Sequence, residues 1–202
     1  MALSMRRMRK PMALLATLLL AVPAAAQFSD AYKFLKAVKD KDGAVATELI
    51  NQPGSSTLVN SKDSETGDAA IHITVRRADA PWMALVLRAG GNPNLRDGQG
   101  NTPLIIATQV RWTDGLRLLL DYGVQVNAQN RLGETALLKA VQARDLESVK
   151  LLLEGRANPD VADNSGLSAR VVAENDPRSV QIARLFKDIP VKKPQATQGP
   201  SL

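Results

Sequence analysis

The 202-residue chain has no cysteine and one histidine, and only 3% of its residues are aromatic. Without thiols there can be no disulfide, no thiolate-held zinc or iron–sulfur cluster and no cysteine nucleophile. With His72 as the sole imidazole, a metal site would need carboxylates alone, and a histidine-based triad would have to use that one residue. The shortage of aromatics leaves Leu, Ala and Val as the apolar stock, which suits close-packed helices better than a strand-built barrel or sandwich. A membrane-spanning run is missing too: the stretch Met12 to Val22, broken by Thr17, has 11 residues, where a hydrocarbon core requires roughly 20. No G-x-x-x-x-G-K loop and no G-x-S-x-G elbow occurs, so Gly98-Gln99-Gly100 reads as a turn and not as a phosphate cradle.

Positive charge is what the chain first offers, with a formal net of +6. Four of the cations, Arg6, Arg7, Arg9 and Lys10, lie in the first ten residues, ahead of the apolar run. Pro23 and Ala24-Ala25-Ala26 follow. A basic start, an apolar centre and an A-x-A end define a secretory leader over residues 1–26, cut between Ala26 and Gln27. Export is therefore expected, to the periplasm or beyond, by general secretion or the twin-arginine route. The absence of Cys after the run excludes a lipidated anchor. Beyond the leader, 22 basic residues face 20 acidic ones, and without a clustered basic reader motif nucleic acid is not an expected partner.

Periodicity says more. Gly67, Gly100, Gly133 and Gly166 are spaced by 33 residues each time. Asn101-Thr102-Pro103-Leu104 follows the second of them, Glu134-Thr135-Ala136-Leu137 the third. Apolar triplets return in register as Leu85-Val86-Leu87, Leu118-Leu119-Leu120 and Leu151-Leu152-Leu153, and Asn94, Asn127 and Asp160 keep the same interval. Thr102 and Thr135 are N-caps whose hydroxyls can satisfy free amides, and Pro103 presets a first helical turn.

These residues resemble the ankyrin repeat, in which a T-P-L-H-like turn opens one short helix, a second helix carries a Leu triplet, and a hairpin-like loop leads to the next unit. The resemblance implies an all-α solenoid over residues 27–186, with three clear repeats and a degenerate capping repeat at each end. The departures sit mostly at the ends. Extra residues at 51–58 interrupt the first unit, whose apolar set includes Phe34, Leu35, Val38 and Val45. Arg170 stands where the family has Leu, and Gly155-Arg156 brings the loop glycine one residue early. Residues 187–202, rich in Pro, Gln and Lys, are expected to form a disordered tail.

The family's way of binding places candidates on the concave face. From the first helices and their ends come Lys39, Arg76, Arg77, Gln109, Arg111, Gln142 and Arg144, and from the hairpins Asp68, Arg96, Gln99, Asn101, Gln129, Arg131 and Glu134. Trp112 is expected to be partly exposed at a helix junction, Trp82 to be packed between helices. Stacking should align the arginines as a basic stripe suited to a protein with an acidic patch. Reversing Arg76 and Arg77 is accordingly expected to abolish partner capture and leave stability intact. His72 should hydrogen-bond its turn, and the scattered carboxylates should solvate the units. The function expected is that of a monomeric, non-catalytic protein-binding module without cofactor, metal or membrane anchor. It would hold a client such as an envelope or antioxidant enzyme. The alternatives are an anionic glycan, lipid head groups or nucleic acid on the stripe, and, with less support, an enzyme.

Overall fold

The computed structural model describes residues 29–191. The leader, its cut at Ala26 and Gln27, and the chain from 192 onward lie outside the described residues. Described residues form helix pairs in chain order: α1 (Asp30–Asp40) with α2 (Gly43–Ile50), α4 (Ala70–Arg76) with α5 (Ala80–Arg88), α6 (Pro103–Gln109) with α7 (Thr113–Asp121), α8 (Ala136–Gln142) with α9 (Leu146–Glu154), and α10 (Ala169–Asn175) with α11 (Val180–Phe186). The extra residues in the first unit fold as a short α3 (Ser55–Val59), and a 3-10 turn at Pro177–Ser179 precedes α11. First helices pack on first helices down the row, α1 on α4, α4 on α6, α6 on α8 and α8 on α10, while α7 packs on α9 and α9 on α11. The expected solenoid is what forms.

Local chemistry fixes the helix starts. Thr102, Thr135 and Ser168 accept the amides of Ile105, Leu138 and Val171 at 3.4, 3.1 and 3.3 Å, capping α6, α8 and α10. Among the second helices, Asp42, Asp79 and Asp145 likewise accept from Val45, Trp82 and Ser148. Each such cap stabilises its helix by about 1 kcal/mol. Leu104, Ile105, Ile106, Leu116, Leu119, Leu137, Leu138 and Leu152 are buried between the units, each contributing about 1.5–3 kcal/mol of apolar transfer. Val45, expected in that core, is 37% exposed, because among the described residues no unit stacks on the outer side of the first one.

Repeating glycines occupy left-handed backbone that a Cβ disfavours. Gly67, Gly100, Gly133 and Gly166 have φ of 72°, 82°, 79° and 85°. The early glycine at 155 does not alter the loop after α9: Arg156 itself takes the left-handed position, φ 65°, that Gly123 and Gly90 hold one and two units before.

At the far end, Arg170 turns a core position into a closure. Its guanidinium forks onto Asp160 at 2.6 and 3.2 Å, donates to the carbonyls of Phe186 and Ile189 at 2.6 and 3.0 Å, and lies 5.9 Å from the Phe186 ring centre. Ordered chain thus continues past the expected boundary at Lys187, since Ile189 also donates its amide to Phe186 at 3.1 Å.

Candidate functional site: the groove between hairpins and first helices

Each hairpin is tied by an acid or amide side chain. Asp97 accepts the amides of Gln99 and Asn101, both at 2.8 Å, and Asn130 those of Leu132 and Glu134, both at 2.9 Å. Neighbouring hairpins are then joined main chain to main chain: Gly98 donates to Thr66, Arg131 to Gln99 and Asn164 to Leu132, at 3.1, 3.2 and 3.0 Å. A second ladder runs behind them, in which the side-chain oxygens of Asn60, Asn94 and Asn127 accept the amides of Asn92, Gln125 and Asn158 at 2.7, 2.8 and 2.7 Å. With their backbone groups paired across units, the hairpins form a continuous rail along one side of the groove.

The expected arginine stripe is not free. Arg76 binds Asp97 of the next hairpin at 2.6 Å and Asp68 of its own at 3.3 Å. Arg77 reaches back to the carbonyls of Val38 and Lys39 at 2.7 and 3.0 Å, and Lys39 pairs with Asp63 at 2.8 Å. Arg111 and Arg144 lie beyond their helices, in left-handed turns with φ of 55° and 54°. From there each bridges forward one unit, Arg111 to the carbonyl of Ala143 and Arg144 to Asp176. Arg96 donates to the carbonyls of Gly100 and Gln129, and Gln129 repeats the motif one unit on with Gly133 and Ala162. Asn101 and Glu134 are buried, bound to Asp97 and Lys139. The alternative of an anionic surface riding on the stripe therefore loses the run of unpaired cations it required. Residues 29–191 hold 20 basic and 20 acidic residues, the other six cations being the four of the leader with Lys192 and Lys193, so the solenoid is neutral overall.

Electrostatics follow the same geometry. The Lys39 ammonium, with the amides of Thr66 and Glu65, holds the Asp63 carboxyl well below its usual range. Burial opposes ionisation of Asp97, but hydrogen bonds from Asn101 and Gln99 and the Arg76 charge outweigh it, and its pKa is lowered. His72, fully buried, accepts the Ala69 amide at Nδ1, 2.9 Å, and donates from Nε2 to the Leu95 carbonyl, 3.0 Å. Burial depresses its pKa despite the Leu95 bond, so it is a neutral strut between two units, as expected of a ring that binds its own turn. Among the described residues no group of three or more His, Asp and Glu is placed to hold a metal, and no helix is long and apolar enough to cross a membrane.

Two parts stay open, one of them a recess of about 610 Å³ between α1 and the first hairpin, lined by Lys36, Lys39, Lys62, Asp63 and Glu65 among others. The other, of about 410 Å³, lies between the second and third hairpins and the ends of α6 and α8, lined by Gln99, Gln109, Arg131, Leu132, Glu134 and Lys139 among others. Gln99, Gln109 and Arg131 are exposed, and the Arg131 guanidinium has no partner among the described residues. Leu132, at the hairpin tip, is 64% exposed. Gln142, one unit beyond Gln109, is exposed as well. Leu132, Asn130 and Lys139 were not expected here. Comparison at the 33-residue interval carried the signal for Leu132, since Thr66, Gln99 and Ser165 hold its place in the other hairpins. Trp112 is half-buried at the start of α7, as anticipated.

A row of helix pairs and cross-linked hairpins enclosing a shallow groove defines a repeat-built binding scaffold. The family model for ankyrin repeats matches in overlapping copies over residues 34–130 and 71–165, and the chain belongs to that family. It is 34% identical over 62 residues to the Nuclear factor NF-kappa-B p110 subunit of Drosophila melanogaster and 28% identical over 86 residues to Oxysterol-binding protein homolog 1 of Saccharomyces cerevisiae. Those matches cover 31% and 42% of this chain but only 6% and 7% of the two relatives. What is shared is thus the repeat. Ankyrin repeats mediate binding between proteins.

Proposed function

We propose that this chain is a non-catalytic, monomeric docking platform, exported to the periplasm, that holds another protein against the groove between the second and third hairpins. The carrying observation is the contrast within that groove: Arg76, Arg77, Arg96, Arg111 and Arg144 are engaged by neighbouring units, whereas Gln109, Arg131 and Leu132 present open polar and apolar groups around one recess. Arg131 suits a partner that brings carboxylates. Closure of one end of the stack by Arg170 supports a single-copy platform. A basic, apolar and A-x-A leader over 1–26 supports export, and in the envelope the client would be an enzyme of envelope maintenance or antioxidant defence, as the likeness to exported ankyrin proteins implies.

A photo-crosslinking amino acid placed at Gln109 or Leu132, and separately at Lys150 on the outer helix α9, tests the site in the producing cell. Crosslinking to one discrete protein from 109 and 132 but not from 150 is expected. Equal crosslinking from all three would defeat the groove assignment, and a mature protein that still begins at Met1 would defeat the export.

A further inference from the structure

The central unit departs from the rule that α2, α5 and α9 follow. Where α2, α5 and α9 begin with Asp42, Asp79 and Asp145, each accepting an amide three residues on, α7 begins with Trp112 and has no side-chain cap. Three residues later, where Val45, Trp82 and Ser148 stand, α7 carries Gly115, and a Cβ built there would clash with the Trp112 ring at 2.1 Å. Local helix physics disfavours both choices, the uncapped start and the glycine within a helix. They make sense only together: Gly115 is the bed on which the indole lies across the first turn of α7. Paired departures of this kind mark places where function overrides local preference.

The indole stands at the turn end of the same unit, packed in part against the core and half-exposed. Gln109 lines the recess; Val110, 41% exposed, Arg111 and Trp112 follow it directly in the chain. Among the described residues Arg111 touches a carbonyl but no carboxylate, and the Arg131 guanidinium at the other end has no partner. The recess carries Leu132, Arg131, Gln99 and Gln109, and the turn that follows Gln109 in the chain adds Val110, Arg111 and Trp112. Carboxamides both donate and accept, as an extended main chain needs. Two arginines without carboxylate partners call for acids, and an apolar group at each end calls for apolar side chains.

We infer that the central unit binds an extended acidic segment of a partner protein, an apolar side chain of that segment seated on Trp112 and its carboxylates on Arg131 and Arg111. This rests on the groove reading above and adds its chemistry and its second anchor. The test uses the whole mature chain against a random 12-residue peptide library displayed on phage, followed by the synthesised winners. Winners rich in Asp or Glu beside aromatic or aliphatic residues are expected. In a Trp82→Phe background, their binding should change the emission of Trp112. The informative variant is Trp112→Asp with Gly115→Ser, which gives α7 the start that α9 already has. It should melt at the same temperature or higher, yet bind the winners at least tenfold more weakly. Undiminished binding by this variant, a large loss of stability in it, or winners rich in Lys and Arg would each overturn the inference. If Arg131→Glu with Leu132→Asp abolishes binding while the Trp112 and Gly115 variant retains it, the groove stands and the second anchor falls. If neither changes binding, both fall.

Discussion

Reversing Arg76 and Arg77 to Glu appears harmless to the fold when only the sequence is consulted, and the structure requires the opposite. The Asp97 side chain is 1% exposed while Arg76 is 41% exposed. Breaking a buried pair costs about 3–5 kcal/mol. Here solvent screens the Arg76 side, and Asp97 keeps the amides of Gln99 and Asn101 and the Asn101 carboxamide, so loss of the cation is reduced to about 1–2 kcal/mol. Arg77→Glu removes two donors from the carbonyls ending α1 and sets a carboxylate near Asp79, adding about 2 kcal/mol. The double variant should lose about 3–4 kcal/mol, a large part of the 5–15 kcal/mol of an ordinary domain. Urea denaturation followed by circular dichroism and tryptophan emission measures it, with Arg131→Glu, whose guanidinium is free, as a control within about 0.5 kcal/mol of the parent. A double variant within that same margin would refute the strut role of these arginines. Failure of so destabilised a variant to capture a partner would say nothing about a binding site.

Leu119→Ala, at a fully buried position, should cost about 2–5 kcal/mol in the same assay. Gly133→Ala should destabilise by more than about 1 kcal/mol, because φ is +79° and the new methyl would lie 2.6 Å from the Asn164 amide, a clash on top of left-handed strain. Melting temperature should begin to fall as pH drops below about 6.5: the unfolded chain then protonates His72, whose ordinary pKa is 6.5, while the folded chain, with a depressed value, does not. A further loss should follow below the ordinary carboxylate value of 3.8, as Asp97 and Asp79, both lowered in the fold, take up protons. His72→Asn should be less stable at pH 7 yet flatter between pH 5 and 7, as read by calorimetry; an unchanged slope would place the titration elsewhere.

Thr102, Thr135 and the spaced glycines were legible in advance because capping and left-handed turns are properties of a few adjacent residues. His72 was legible for the same reason, as its Nδ1 bond spans three positions. Arg156 shows the limit: the sequence places a glycine beside it, but packing of Gly155 against Leu120 decides which of the two residues takes the positive φ. Leu132 stood out only against its counterparts one unit away.

The order of residues alone determined the period of 33, the helix pairs, the caps and the need for units to stack, since each of these follows from spacing within a single unit and from apolar faces that one unit cannot cover. Only the stacked structure decided which polar groups remain available. Arg76, Arg77, Arg96, Arg111 and Arg144 meet their partners 21 to 39 residues away, and a charge looks free in a sequence until the neighbouring unit arrives to bind it. The open recess at Gln109 and Arg131 is what that pairing leaves behind.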